Sequence, residues 1–225
     1  MSPKGPPSKS IWAAAILGAA AFFLPPSAAA GQGDPLPQIT FTKVLKGSSP
    51  EFESVTVDKS GAAACDTRKL RDSANPRAFK LSPATTQRIF GLAARLHNFQ
   101  GVELESRKPV ANLGRKTLTY ERGGETHSVE FNYTANRDAE ELANVFEGIV
   151  SVNLHVQTLD FSIRYDPLGL PHELSLIQMD LERKALADPE LLTPQLEAIV
   201  RDSRFLHLAQ VRAENILQEL RQDRN

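Results

Sequence analysis

The chain has 225 residues, and its 26 Lys and Arg against 27 Asp and Glu give a formal charge of −1. Apolar residues make up 41% and charged residues 24%, which is a globular mixture rather than a disordered or collagen-like one. The near-neutral balance lacks the basic footprint of a nucleic-acid binder. A single cysteine, Cys65, excludes a disulfide framework and any multi-cysteine zinc or iron–sulfur centre.

Residues 1–30 read as a secretory signal peptide. Lys4 and Lys9 supply a positive start, Ile11 to Leu24 is an uncharged apolar run, and Pro25 and Pro26 end it. Ala28, Ala29 and Ala30 then put small residues at −3 and −1 of a cut before Gly31. The competing reading is a retained membrane anchor. As a helix this run reaches only about 21 Å, short of a hydrocarbon core of about 30 Å. No cysteine sits just after the run, which argues against a lipid anchor, and no later stretch is long and apolar enough for a span. The expected product is water-soluble and secreted or periplasmic, and the Ala-rich leader with a disulfide-free product points to a bacterium. Removal of the leader takes Lys4 and Lys9 but no acid, leaving the rest more acidic. It also takes Trp12, the one tryptophan, and so weakens a carbohydrate-platform reading. Asn132-Tyr133-Thr134 fits a glycosylation sequon, expected to be a chance match in a bacterial protein.

Residues 31–38 (GQGDPLPQ) form a flexible, polar lead-in. An α+β domain over residues 39–165 follows. Ile39, Phe41 and Val44 begin a strand; Phe52, Val55 and Val57 begin another; Asp58-Lys59-Ser60-Gly61 turns the chain into a return strand, Ala62 to Cys65. Thr67 to Lys80 reads as a polar loop. Ser82-Pro83 has the cap-then-proline pattern of a helix start, and Ile89, Leu92, Ala93 and Leu96 form the apolar face.

The order then recurs. Thr117, Leu118 and Tyr120 lead to a Gly123-Gly124 hairpin turn, and Val129, Phe131 and Tyr133 alternate on the return. Asp138 and Glu141 have capping-box spacing. Leu142, Val145, Ile149, Val152, Val156, Leu159 and Ile163 then recur at 3-4-3-4 spacing, the stripe of a long packed helix. Stretches of period two leave residues 152–165 open to a strand reading. The expected architecture is two ββα units forming an antiparallel sheet with helices on one face.

Asp166 to Pro171 reads as a turn that opens a C-terminal helical region, residues 166–225, packed on that domain as a helical hairpin or bundle. Leu174, Ile177, Leu181 and Leu186 mark one helix, and Asp188-Pro189 breaks it. Thr193-Pro194 starts another with Leu196, Ile199 and Val200. Asp202-Ser203 punctuates again, before Leu206, Ala209, Ala213, Ile216 and Leu220. The exported start, the recurring ββα order, the segment RYDPLGLPHEL (Arg164 to Leu174) and the tail HLAQVRAENILQEL (His207 to Leu220) resemble uncharacterised secreted bacterial proteins, a domain of unknown function. That resemblance implies no activity, ligand or catalytic residue.

The residues specify an address and an architecture more clearly than a chemistry. His97, His127, His155, His172 and His207 are dispersed, and no two lie three or four apart. His172-Glu173 begins a metalloprotease pattern, but Leu176 stands where the second histidine belongs. His127 with Glu125 and Glu130 leaves a hairpin metal site open against a solvated strand face, and His155 reads as a helix-face or core histidine. Cys65 reads as a buried strand residue. Alternatives are a thiolate favoured by Arg68, Lys69 and Arg71 and a disulfide-linked homodimer. Glu103, Glu105, Glu140, Glu141, Asp160, Asp166 and Asp180 carry no spacing that specifies a hydrolytic pair. The cations of Arg68 to Lys80 interleave with Asp66 and Asp72 and read as a solvated loop, with an anion or partner patch as the alternative. No nucleophile elbow or phosphate-cradling loop occurs.

No catalytic, cofactor-binding or metal residue is therefore assigned. The expected function is a non-catalytic binding or interaction module, holding a protein or peptide partner on the open sheet face or an edge strand. Two alternatives are a small secreted hydrolase with a carboxylate or thiol centre and a self-associating structural envelope component. An enzyme should gather Cys65 or acids with a histidine in one pocket; an interaction module should show an exposed apolar patch.

Overall fold

Six antiparallel strands form one sheet in the computed structural model, which describes residues 35–222. The leader reading lies outside the described residues, as does the start of the lead-in. The strands are β1 (Gln38–Val44), β2 (Phe52–Asp58), β3 (Ala62–Arg68), β4 (Arg77–Lys80), β5 (Arg115–Arg122) and β6 (Glu125–Phe131), in the spatial order β4-β3-β2-β1-β5-β6. Because side chains alternate across a strand, the register builds two different faces. On the inner face Ile39 lies between Val57 and Tyr120, and Phe41 lies between Val55 and Leu118. All six are buried.

On the outer face Thr40 lies between Thr56 and Thr119, and Thr42 lies between Ser54 and Thr117. Hydroxyl pairs run along it, with Thr40 Oγ1 3.1 Å from Thr56 Oγ1 and Thr119 Oγ1 3.1 Å from Ser128 Oγ. This is the one-face-packed, one-face-wet pattern of antiparallel sheets.

The α+β class holds, with one difference in the first unit. Four strands precede its helix where the sequence reading has three, because the segment read as a loop to Lys80 contains β4. That strand has four residues with one large apolar side chain, Phe79, too little for periodicity to register. Its pairing of Ala63 with Phe79 and Cys65 with Arg77 is tertiary. The second unit has the expected two strands, although Tyr133 falls past the end of β6.

Helix α1 (Pro83–Arg95) starts as its sequence indicates, with Ser82 Oγ accepting from the Thr85 N–H at 3.2 Å. Helix α2 (Arg137–Tyr165) is continuous for 29 residues, which overturns the strand alternative for 152–165. Leu142, Val145, Ile149, Val152 and Leu159 are all buried, so the helical stripe prevails over incidental period-two stretches. Its cap is Asn136, whose Oδ1 accepts from the N–H groups of Asp138 and Ala139 at 3.0 and 3.2 Å. Asp138 and Glu141 form no capping box; they reach Arg95 and Arg88 of α1, each at 3.0 Å. The rings of Phe146 and Phe41 stack at 5.2 Å, joining α2 to the sheet.

After the 3₁₀ turn Pro167–Gly169 come α3 (Leu170–Glu182), α4 (Thr193–Arg201) and α5 (His207–Gln222). Leu186 lies past the end of α3, Thr193 is a helical residue with no side-chain capping bond at that helix start, and Leu206 is exposed. The hydrophobic interior forms two clusters. One contains the sheet's inner face, α1 and α2 as far as Val150; the other runs from Val152 and Leu159 through α3, α4 and α5. They divide on α2 itself. Gly148 sits at that division, where a Cβ would come within 2.9 Å of the Ala187 nitrogen, so the loop before α4 can approach only a glycine. From that loop Asp188 accepts from the Ser82 N–H and Oγ, both at 2.5 Å, and from Thr85 Oγ1 at 2.8 Å. Among the described residues no helix is long and apolar enough to cross a membrane.

Candidate functional site

Three charged residues occupy inward positions at one end of the sheet, where alternation calls for apolar ones. Glu53 follows Val57 and Val55 down β2, Lys43 follows Ile39 and Phe41 down β1, and Lys116 precedes Leu118 and Tyr120 on β5. The register sets Lys43 directly opposite both Glu53 and Lys116. Two ammonium groups facing each other across a ladder destabilise it unless a counter-charge intervenes. Glu147 of α2 supplies one, its Oε1 lying 3.3 Å from Lys43 Nζ and 3.6 Å from Lys116 Nζ. Glu53 Oε2 lies 3.8 Å from Lys43 Nζ on the other side. Burial pushes the Glu53 carboxyl above its ordinary pKa; Lys43 opposes this, and Glu147 adds to it. Gly114 closes over the lysine stem: a Cβ there would lie 3.2 Å from Lys43 Cγ, and its φ of +98° is one that glycine tolerates.

The two lysines and Glu147 line a cavity of about 360 Å³ between the sheet end and α2, with Asn132, Thr134 and Asn144 among the other wall residues. That volume lies in the range of small-ligand sites. Asn132 is fixed by its own bonds: its Oδ1 accepts from the Leu113 N–H at 2.7 Å, and its Nδ2 donates to the Ala111 carbonyl at 3.0 Å. It also lines a neighbouring depression, flanked by Lys46 and Arg115. Chemically, the cavity offers two ammonium donors that share Glu147, a second carboxylate in Glu140, and amide and hydroxyl groups beside the apolar Leu113 and Phe131; Lys116 Nζ also donates to the Asn132 carbonyl at 3.5 Å. Such an arrangement binds and orients polar ligands.

None of the histidines or the cysteine singled out in the sequence lines this cavity. The five histidines sit on separate elements: His97 in the 3₁₀ turn after α1, His127 in β6, His155 in α2, His172 in α3 and His207 at the start of α5. Cys65 is buried in the sheet core. Burial, then Asp66 and Glu53, push its thiol up to about 12, so the nearby cations do not produce a thiolate. His127 and Glu130 project to opposite faces of β6 by strand parity, and Glu130 pairs with Arg115 at 2.9 Å, so the hairpin metal alternative does not assemble. The cations read as one loop are dispersed. Arg68 bonds Asp66 at 2.9 Å and covers the Phe52 ring, while Arg77 bonds Asp160 at 2.8 Å.

His155 is the one histidine placed between acids. Its Nδ1 lies 2.7 Å from Glu173 Oε1 and its Nε2 3.1 Å from Asp180 Oδ2, both on α3. Burial opposes its charge, but the bonds to Glu173 and Asp180 outweigh burial and raise its pKa. This triad fastens α2 to α3. Among the other carboxylates, Glu105 accepts from the Asn132 N–H at 2.6 Å, and Asp166 accepts from the Gly169 N–H at 3.2 Å. A second surface lies at the end of α2, where the exposed rings of Phe161 and Tyr165 meet at 5.4 Å close in sequence to the exposed Leu168.

Of the cavity's charges the sequence reading had named Glu140 alone; Lys43, Lys116 and Glu147 escaped it, although a signal was present: each lysine stands in the inward phase of its own strand. Compared with known proteins, the chain matches no family model and no curated protein.

Proposed function

We propose that the chain is an exported, non-catalytic binding module and that the Lys43–Lys116 cavity is where it holds its partner. The observation that carries this reading is the lysine pair. Two like charges set opposite each other on a sheet's core side cost stability unless a counter-charge intervenes, and here that counter-charge, Glu147, is more exposed than either lysine and lines the cavity. The cavity sets its ammonium groups against a carboxylate beside amides and a hydroxyl, an arrangement suited to recognition. Export rests on the leader-like residues 1–30, and a bacterial source on that Ala-rich leader together with the single cysteine. Titrating ¹⁵N-labelled protein with an extract of its exported fraction tests the reading. The expected outcome is chemical-shift change concentrated at Leu113, Asn132, Thr134 and Asn144. Changes confined to the outer sheet face would move the site to Thr40 and its neighbours, and no change anywhere would end the reading.

A second reading, self-association, is favoured by the exposed Phe161, Tyr165 and Leu168. Light scattering coupled to size exclusion decides it: Phe161→Ser should convert a dimer to a monomer, and a wild-type monomer removes it.

A further inference from the structure

We propose that the cavity recognises a carboxylate group, and that Glu147 holds the place of that carboxylate until a ligand arrives. This rests on the binding-module reading and names the ligand chemistry of the same site. The geometry of Glu147 carries the argument. A single oxygen of its carboxylate is shared between Lys43 Nζ and Lys116 Nζ, at 3.3 and 3.6 Å. Both ammonium groups are mostly enclosed, with side-chain exposures of 18% and 11%, whereas Glu147 is 33% exposed and lines the cavity. Thus the two donors are held by the fold and their acceptor is the most accessible member of the group.

Glu53 does not play this part. It lies opposite Lys43 in the ladder and contacts that lysine alone among the pair, at 3.8 Å. It faces one ammonium group and leaves the charge of the other, which also donates to the Asn132 carbonyl at 3.5 Å, to Glu147 or to a replacement. An incoming carboxylate that displaces Glu147 keeps both ammonium groups paired, and Glu147 swings into water, where an ionised carboxylate is well solvated. The remaining wall mixes Asn132, Thr134, Asn144 and the Glu140 carboxylate with the apolar Leu113 and Phe131, and it suits a ligand with a small body that is partly polar and partly apolar. Two sources supply such a group: a free small carboxylic acid and the C-terminus of a peptide.

The test is a titration of ¹⁵N-labelled protein with sodium acetate, with tri-alanine and with tri-alanine amide. Saturable shifts at Leu113 and Asn144 with acetate and tri-alanine, and none with the amide, support the proposal. Tighter binding of tri-alanine than acetate assigns the peptide source; equal binding assigns the free acid. Glu147→Gln removes the internal competitor and should tighten acetate binding about tenfold, whereas Lys116→Met should abolish it. If Lys116→Met fails to fold, the Glu147→Gln arm decides alone. The proposal is overturned if the amide binds as well as the acid, or if Glu147→Gln leaves affinity unchanged. In either case, exported-fraction shifts at the same residues would leave the binding-module reading standing.

Discussion

The two hydrophobic clusters share a helix but place their charges differently. On the sheet side Lys43, Lys116, Glu53 and Glu147 gather at an open end and border a cavity. On the helical side His155, Glu173 and Asp180 form a closed contact between α2 and α3, with both ring nitrogens engaged. The same ingredient, partly enclosed ion pairing, serves opposite ends. Beside empty space it leaves donors that a ligand can reach; between packed helices it fastens. What separates recognition from support here is adjacent volume rather than charge.

The comparison breaks if the clusters melt apart. Phe146→Ala removes the ring stacked on Phe41 and should cost about 3–5 kcal/mol, and Leu174→Ala in the other cluster about 2–5 kcal/mol. Because α2 belongs to both, calorimetry should show one transition, lowered by either change. Two peaks, each moved by only one variant, would make the halves independent.

A smaller effect probes the strap between them. Asp188→Asn weakens three bonds to Ser82 and Thr85 while keeping a residue tolerant of the φ of +59°. The expected loss is about 1–3 kcal/mol in chemical denaturation, and an unchanged midpoint would show that the strap contributes nothing.

Smaller still is the pH dependence of the helical side. A neutral imidazole carries one N–H, so only imidazolium can donate to Glu173 and Asp180 together. The folded pKa of His155 is raised, so its contribution is full below the ordinary value of about 6.5 and is lost as pH rises through the folded value. The melting temperature should fall over that window in the wild type and stay flat in His155→Gln. Equal slopes would remove the triad from the account. The smallest change expected is in Thr40→Val on the outer face, within about 0.5 kcal/mol of wild type; a larger loss would show that the hydroxyl rows are structural.

Much of this architecture is legible in the residues. Ile39 and Phe41 alternate because one sheet face is dry, and the stripe from Leu142 to Leu159 repeats because α2 is packed along its length. Ser82-Pro83 marks a helix start through chemistry that is complete within a few residues. What stayed hidden depends on contacts distant in the chain. β4 exists because Ala62 to Cys65 offers an edge, and Asn136 rather than Asp138 caps α2 because Thr134 orients it, with Thr134 Oγ1 accepting from the Asn136 N–H at 3.1 Å. The cavity needs β1, β5 and α2 together; within any one of them a charge at a strand end looks like ordinary solvation. His155 was legible as a residue near the apolar stripe, but its two acids lie on another helix.

Helix α2 has one further consequence. At 29 residues it is about 43 Å long, and its apolar stripe changes owner partway along. A split after Tyr165 would strand Val152 and Leu159 in water on the first fragment and deprive the second of the seam it folds against. Neither piece could be inherited, swapped or expressed alone without acquiring a substitute surface, so insertions and exchanges in relatives of this chain should fall in the loops flanking α2 and spare its length.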